Sequence, residues 1–353
     1  MKRDVKLSNM KGLLIFLVVF GHLIAPYRQS YNGLYLGIYS FHMPLFILIS
    51  GYFAKHASYK KVINMILLYL TFQPIYKVFL MIIKPELDFN IMYDRPYYHL
   101  WYLVSMAAWC LIAIVIQKSF IKNISKVFLV FSCFIIGIIS RFFTGPVVSW
   151  VQNYDSDYNS YTLSYQRTLS FLPFFLLGMM ISQDTMHRLY HSLKGRIRLL
   201  LIIITGVFVL FLLAHTNNLE YIIKGSYGVD QMKGNLLATT AKIVLGYILA
   251  LLICYILLNL ISNKQTILTK WGDRTLPIFL FHMFAVRFLK DSTFLKSLNQ
   301  WLQLPLLFII TIVIVCLLSS DLFIHCTYYV WHPFEAVKNV KKKLGHIFQP
   351  KIS

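Results

Sequence analysis

Polar residues are spaced far apart along this chain. Runs of roughly 17 to 25 mostly apolar residues, the length an α-helix needs to cross a hydrocarbon core of about 30 Å, recur from end to end. About ten such runs can be placed, at 11–27, 35–54, 62–83, 98–117, 125–142, 167–182, 198–215, 236–261, 274–290 and 304–328. The pattern predicts an all-α fold: a polytopic integral membrane bundle of about ten transmembrane helices. The first run follows Lys2, Arg3 and Lys6, as in a signal peptide, but no small-residue cleavage site follows it, so it is read as a retained span.

Composition excludes the alternative of a water-soluble domain. Hydrophobic residues make up 58% of the 353 and charged residues only 13%, far from the mix of soluble folds. The formal charge of +21 would point to nucleic acid in a soluble protein. Here most Lys and Arg sit in short loops between apolar runs, so membrane topology and anionic lipid explain them and no nucleic-acid partner is expected.

Alternate loops differ in charge. The set comprising the N-terminus, 55–61, 118–126, 184–198, 262–274 and the C-terminal tail holds about twice the Lys and Arg of the opposite set, which places both termini in the cytoplasm. One membrane domain, 1–335, and a basic cytoplasmic tail, 336–353, follow from this reading, with Lys341, Lys342 and Lys343 as an anchor at the lipid surface. The five cysteines lie in or beside apolar runs without metal-ligand spacing, and no metal site is expected.

Ionisable groups within spans mark function. Lys11 and His22 are eleven residues apart, about 20° past three full turns, so they share one helix face roughly 16 Å apart along the axis. A cation at the cytosolic mouth and a histidine deep in the membrane suit an acyl-CoA donor. Its phosphates would meet Lys11 and its thioester would reach His22, which can take a proton from a hydroxyl or accept the acyl group itself. His42 falls at a similar depth in the second span. Ser50 and Gly51 there permit close helix packing. Lys55, Lys60 and Lys61 follow in the first cytosolic loop, either extending the phosphate site or anchoring the helix.

Further candidates each carry two readings. His99 and Trp101 open the fourth span, as a sugar-stacking platform or as part of an interfacial aromatic belt. Arg167, at the mouth of the sixth, either holds a polar acceptor or a developing oxyanion, or snorkels. His282, in the ninth, is either structural or catalytic. Asp321 and His325 lie one turn apart and are a candidate carboxylate–imidazole pair. The basic cluster His187, Arg188, His191, Lys194, Arg196 and Arg198 reads as topological.

Two blocks, Asn9-Met-Lys-Gly-Leu-Leu-Ile-Phe-Leu-Val-Val-Phe-Gly-His22 and Phe41-His-Met-Pro-Leu-Phe-Ile-Leu-Ile-Ser-Gly-Tyr-Phe53, resemble the membrane acyltransferase-3 family, within it the fucose 4-O-acetylase-like polysaccharide acetyltransferases. His99-Leu-Trp-Tyr-Leu103, Phe171-Leu-Pro-Phe-Phe-Leu-Leu-Gly178 and Trp271-Gly-Asp-Arg-Thr-Leu-Pro-Ile-Phe-Leu-Phe-His282 extend the resemblance over nearly the whole chain. It implies a multi-pass protein of the bacterial plasma membrane, with His22 catalytic, acetyl-CoA as donor substrate entering from the cytosol, no bound cofactor, and an extracellular or cell-wall polysaccharide, or its lipid-linked precursor, as acceptor. The family's basic position in the first span is usually arginine and is Lys11 here. Many members have aspartate where this chain has Ser8. A polysaccharide exporter, with His22, His42, Lys77, Lys242 and Asp321 along a polar path, is the alternative.

Overall fold

A computed structural model describes residues 4–84, 90–119, 123–215, 219–232, 235–333 and 335–336. The expected cytoplasmic tail, from residue 337 onward, lies outside the described residues. Those described form helices α1 (Val5–Ile24), α2 (Asn32–Phe53), α3 (Tyr59–Ile83), α4 (Trp101–Lys118), α5 (Lys126–Gln152), α6 (Tyr165–Met180), α7 (Gln183–His191), α8 (Gly195–His215), α9 (Leu219–Lys224), α10 (Leu236–Leu260), α11 (Ile267–Asp273), α12 (Thr275–Lys290), α13 (Thr293–Ser297), α14 (Gln300–Leu318) and α15 (Asp321–Trp331). The protein is all-helical among the described residues and reads as a multi-pass membrane protein.

Among the described residues, seven helices are long and apolar enough to cross a membrane: α1, α2, α3, α4, α5, α10 and α14. The pair α6 and α7, bent by 100°, makes an eighth if it is one span. Ten were expected, and the differences have local causes. The ninth expected span is α12, whose 16 residues rise only about 24 Å. The tenth, 304–328, is broken at Ser319 and Ser320, where the Ser320 side chain caps the new helix α15 by accepting from the Phe323 amide. Asp321 is therefore not inside a span. Its carboxylate is taken by Arg274 and Lys270, and the Arg274 hydrogen bond first, then the charge of that guanidinium, holds it below the usual carboxylate range. The expected Asp321–His325 pair is replaced by this tie.

Burial separates hub from rim. In α1, 78% of the most apolar window is buried, against 22% in α5. The outward faces of α5 and α8 carry Val127, Phe128, Phe131, Ile197, Leu199 and Leu210 as exposed apolar side chains, suited to lipid.

Two crossings bring backbones together. On α1 and α11, a Cβ at Gly12 would lie 2.0 Å from the Leu268 carbonyl oxygen and one at Gly272 1.7 Å from that of Ser8. On α2 and α6, a Cβ at Gly51 would meet the Phe175 oxygen at 1.9 Å and one at Gly178 the Leu48 oxygen at 1.8 Å. Only glycine fits at these four positions, and the crossing at Gly51 is the close packing that Ser50-Gly51 led us to expect. Asn9 locks the first crossing: its amide donates to the Ser262 and Lys264 carbonyls, both at 2.8 Å, and its oxygen accepts from Thr266 and Thr269. Ser8 donates to Asp273 at 2.8 Å, and Trp271 stacks on Phe16 with ring centres 5.9 Å apart. Sequence blocks from opposite ends of the chain thus form one joint that fixes α1 against α12.

Candidate active site

One face of α2 runs the length of the site. Tyr35, Tyr39, His42 and Met43, then Phe46, Ile49, Ser50 and Phe53, follow helical spacing, so their side chains lie one above another on one stripe. The first four line a cavity of about 230 Å³ and the last four a second one of about 180 Å³. Helix α1 contributes in the same order, with Val18 and His22 in the larger cavity and Lys11 in the smaller. The Lys11–His22 spacing read from sequence therefore joins two chambers between α1, α2, α4 and α12.

Four histidines gather at the larger chamber. His22, His42 and His99 line it, and His282 packs behind His22, ring centres 5.4 Å apart, and beside His99 at 4.9 Å. Two of these rings are fixed by their own helices. His42 Nδ1 sits 2.7 Å from the Ile38 carbonyl, and His282 Nδ1 sits 2.7 Å from that of Phe279 and 3.1 Å from that of Ile278. A carbonyl only accepts, so in each ring Nδ1 carries the hydrogen and Nε2 is left as an acceptor. His282 Nε2 is buried without a partner, as is His99 Nδ1. On its other side His99 Nε2 faces the Tyr76 hydroxyl at 3.5 Å, and that hydroxyl donates to the Leu280 carbonyl at 2.8 Å.

His22 differs from the other three. It makes no hydrogen bond to the described residues and stands partly open to the chamber, with the edge of Tyr39 against it at 6.4 Å. Both its nitrogens are available to a substrate. Among the described residues no carboxylate lines the chamber, so there the imidazole has polar neighbours and no acidic partner like that of a hydrolase triad.

The remaining wall is aromatic and cationic. Trp101, read from sequence either as a stacking platform or as part of an interfacial belt, lines the chamber, with Phe171 stacked on it at 5.9 Å and Arg167 over it at 5.1 Å. His99 is only 2% exposed, which rules out the interfacial-belt reading for that residue. Arg167 and Lys224 are the charged residues of the lining.

The smaller chamber holds Lys11 and Lys61 at one end. Lys11 lies over Phe53 at 5.3 Å. Ser50 and Tyr102 share a hydrogen bond of 2.6 Å partway along. Phe279 lines both chambers, its ring 5.4 Å from Tyr102 on one side and 4.8 Å from His99 on the other. Lys60, expected beside Lys61, is exposed and absent from this lining. Successive residues at a helix start point about 100° apart, so only one of the pair can face the groove. Lys55 lines a different hollow, with Lys126.

Tyr39, Lys224, Tyr102 and Phe279 were not anticipated. Tyr39 stands three residues before His42, the one signal that could have found it. Lys224 lies in the short α9, whose side chains were read as loop. Lys77, Lys242 and Asp321, which an exporter path would need beside His22 and His42, are not in the chamber lining. Among the described residues no group of three or more His, Cys, Asp and Glu is arranged to hold a metal ion.

The acyltransferase domain model of the acyltransferase-3 family matches residues 4–320. Nodulation protein NolL of Sinorhizobium fredii (strain NBRC 101917 / NGR234) is 48% identical over 59 residues, 15% of this chain and 16% of that protein. NolL of Mesorhizobium japonicum (strain LMG 29417 / CECT 9101 / MAFF 303099) is 39% identical over 72 residues, 17% of each. The chain thus matches only about a sixth of the length of these curated relatives. No solved structure matches it. The matched domain takes in α1 through α14 and with them both chambers, and the chain belongs to the acyltransferase-3 family of membrane acyltransferases.

Proposed function

We propose that this acyltransferase moves an acetyl group from cytosolic acetyl-CoA to a hydroxyl of an extracellular or cell-wall polysaccharide, or of its lipid-linked precursor. The observation that carries the proposal is the pair of chambers meeting at Phe279, one holding Lys11 and Lys61 and the other enclosing His22. Charge bias in the loops supports a cytosolic position for the lysine end in a cell membrane. CoA phosphates would sit at Lys11 and Lys61, and the narrow pantetheine arm would pass Ser50 and Tyr102. The thioester would arrive at Phe279, beneath His22.

The acceptor hydroxyl enters the larger chamber from the opposite side. His22 takes its proton as the oxygen attacks the thioester carbonyl. The tetrahedral intermediate collapses, the C–S bond breaks, and the imidazolium returns the proton to the departing thiolate, leaving an O-acetyl ester and free CoA. His282 Nε2, an acceptor with no other partner, is the group that would orient His22 and receive its N–H. A route through acetyl-His22 uses the same atoms in two steps. Trapping labelled acetyl on the protein without acceptor distinguishes the two.

The test uses the purified full chain in lipid nanodiscs, radiolabelled acetyl-CoA and a glycan extract from the cells that make it. His22→Ala is expected to lower transfer by about 10²- to 10⁴-fold while acetyl-CoA still binds. Undiminished transfer by that variant would remove His22 from the chemistry.

A further inference from the structure

Among the described residues the lining of the histidine chamber carries positive charge and no carboxylate. Of the groups lining it, Arg167 and Lys224 are charged and none is acidic. The nearby carboxylate, Glu220, is already engaged: Arg28 bonds it at 2.9 Å and Lys224 bonds it as well. Arg167 is left over. It lies over the rings of Trp101 at 5.1 Å and Tyr161 at 5.3 Å, and it has neither a carboxylate nor a hydrogen-bond acceptor among the described residues. The Tyr161 hydroxyl donates to Tyr227 at 2.7 Å and makes no hydrogen bond to Arg167 among the described residues.

Arg167 is half-buried in the first turn of α6, over two aromatic rings and without an acidic partner among the described residues, and a cation so placed in a membrane protein marks a binding path. Its five N–H donors match the paired oxygens of a carboxylate or phosphate. Trp101 and Tyr161 position the group without supplying those oxygens, and the chamber it faces is where the acceptor must come to reach His22. We infer that Arg167, supported by Lys224, is an anion subsite, and that the acceptor is a sugar bearing a negative charge, as a uronate carboxylate or as a phosphate. The inference rests on the acyl-transfer reading only in calling this ligand the acceptor.

The test is thermal unfolding of the full chain in nanodiscs, at fixed ionic strength and with saturating coenzyme A to occupy the donor chamber. Glucose, glucuronate and glucose 1-phosphate are compared as ligands. Glucuronate or glucose 1-phosphate is expected to stabilise the protein at concentrations where glucose does not, and whichever does so identifies carboxylate or phosphate as the source. Arg167→Gln should weaken that response by roughly 10- to 100-fold, and Arg167→Lys should restore part of it. Equal responses to all three sugars, or an anion preference that survives in Arg167→Gln, overturn the proposal, as they would if Arg167 served only a developing oxyanion. If Arg167→Gln does not fold, seen as loss of its response to coenzyme A, the wild-type preference and the Arg167→Lys variant decide. Should the wild type not respond to coenzyme A at all, the acyl-transfer reading falls while the anion preference is still measured.

Discussion

At the residue scale, the site is organised by which nitrogen of each histidine is already used. His42 and His282 spend Nδ1 on carbonyls one turn back along their own helices, and His22 makes no hydrogen bond to the described residues. This explains why His22 is the chemical candidate among four histidines at one chamber. Its pairing with Lys11 was legible in sequence because helical periodicity alone places both on one face. Tyr39 and Phe279 were not, since an aromatic residue in an apolar helix gives no sign of whether it faces lipid, core or cavity. Lys61 and Lys60 could not be told apart either until α3 had a fixed rotation. Lys11, in the lining of the smaller chamber, and Lys60, outside it, make a contrast that can be measured. Lys11→Gln is expected to raise the KM for acetyl-CoA by about tenfold or more, the loss of one charge-assisted phosphate contact, with kcat little changed. Lys60→Gln, at an exposed position, should leave KM within about twofold. Steady-state kinetics with varied acetyl-CoA checks both, and a large effect at Lys60 would mean the phosphates lie outside the smaller chamber.

At the scale of elements, four glycines set the architecture. The stripe on α2 faces the cavities because Gly51 and Gly178 let α2 and α6 touch backbone to backbone behind it. Gly178→Val is therefore expected to destabilise the fold by about 1 to 3 kcal/mol or more and to reduce the yield of monodisperse protein on fluorescence-detected size exclusion. Gly206→Ala, where a Cβ would meet nothing within 4 Å, is the matched control and should behave as wild type. The close crossing at Gly51 was readable from its sequence neighbours. The partner glycine was not, because pairing between distant segments leaves no local mark. The break after α14 had a signal in Ser319-Ser320-Asp321, a helix-capping sequence lying within a run apolar enough to read as one span.

For the whole molecule, the class of fold was legible because hydrocarbon thickness dictates the length of apolar runs. The number of crossings was less so: α12 is short, α6 and α7 are sharply bent, and composition does not report bends. The charge asymmetry of the loops predicts a definite orientation that labelling can test. In a Cys326→Ser background, which removes the exposed cysteine, Ser58→Cys between α2 and α3 should resist a membrane-impermeant maleimide in intact cells. Asp155→Cys, following α5, should react readily. The reverse pattern would invert the protein and put the lysine chamber on the wrong side for cytosolic acetyl-CoA.

The central claim of the proposed function is that the protein adds acetyl groups to a glycan and does not transport it. The dispersal of Lys77, Lys242 and Asp321 away from the His22 chamber already weighs against a transport path. The most direct measurement is the O-acetyl content, by proton NMR, of surface glycan from cells with the gene intact, deleted or carrying His22→Ala. The account predicts that deletion and His22→Ala both abolish the acetyl signal at unchanged glycan yield. Collapse of the surface glycan, with the remainder normally acetylated, would contradict it.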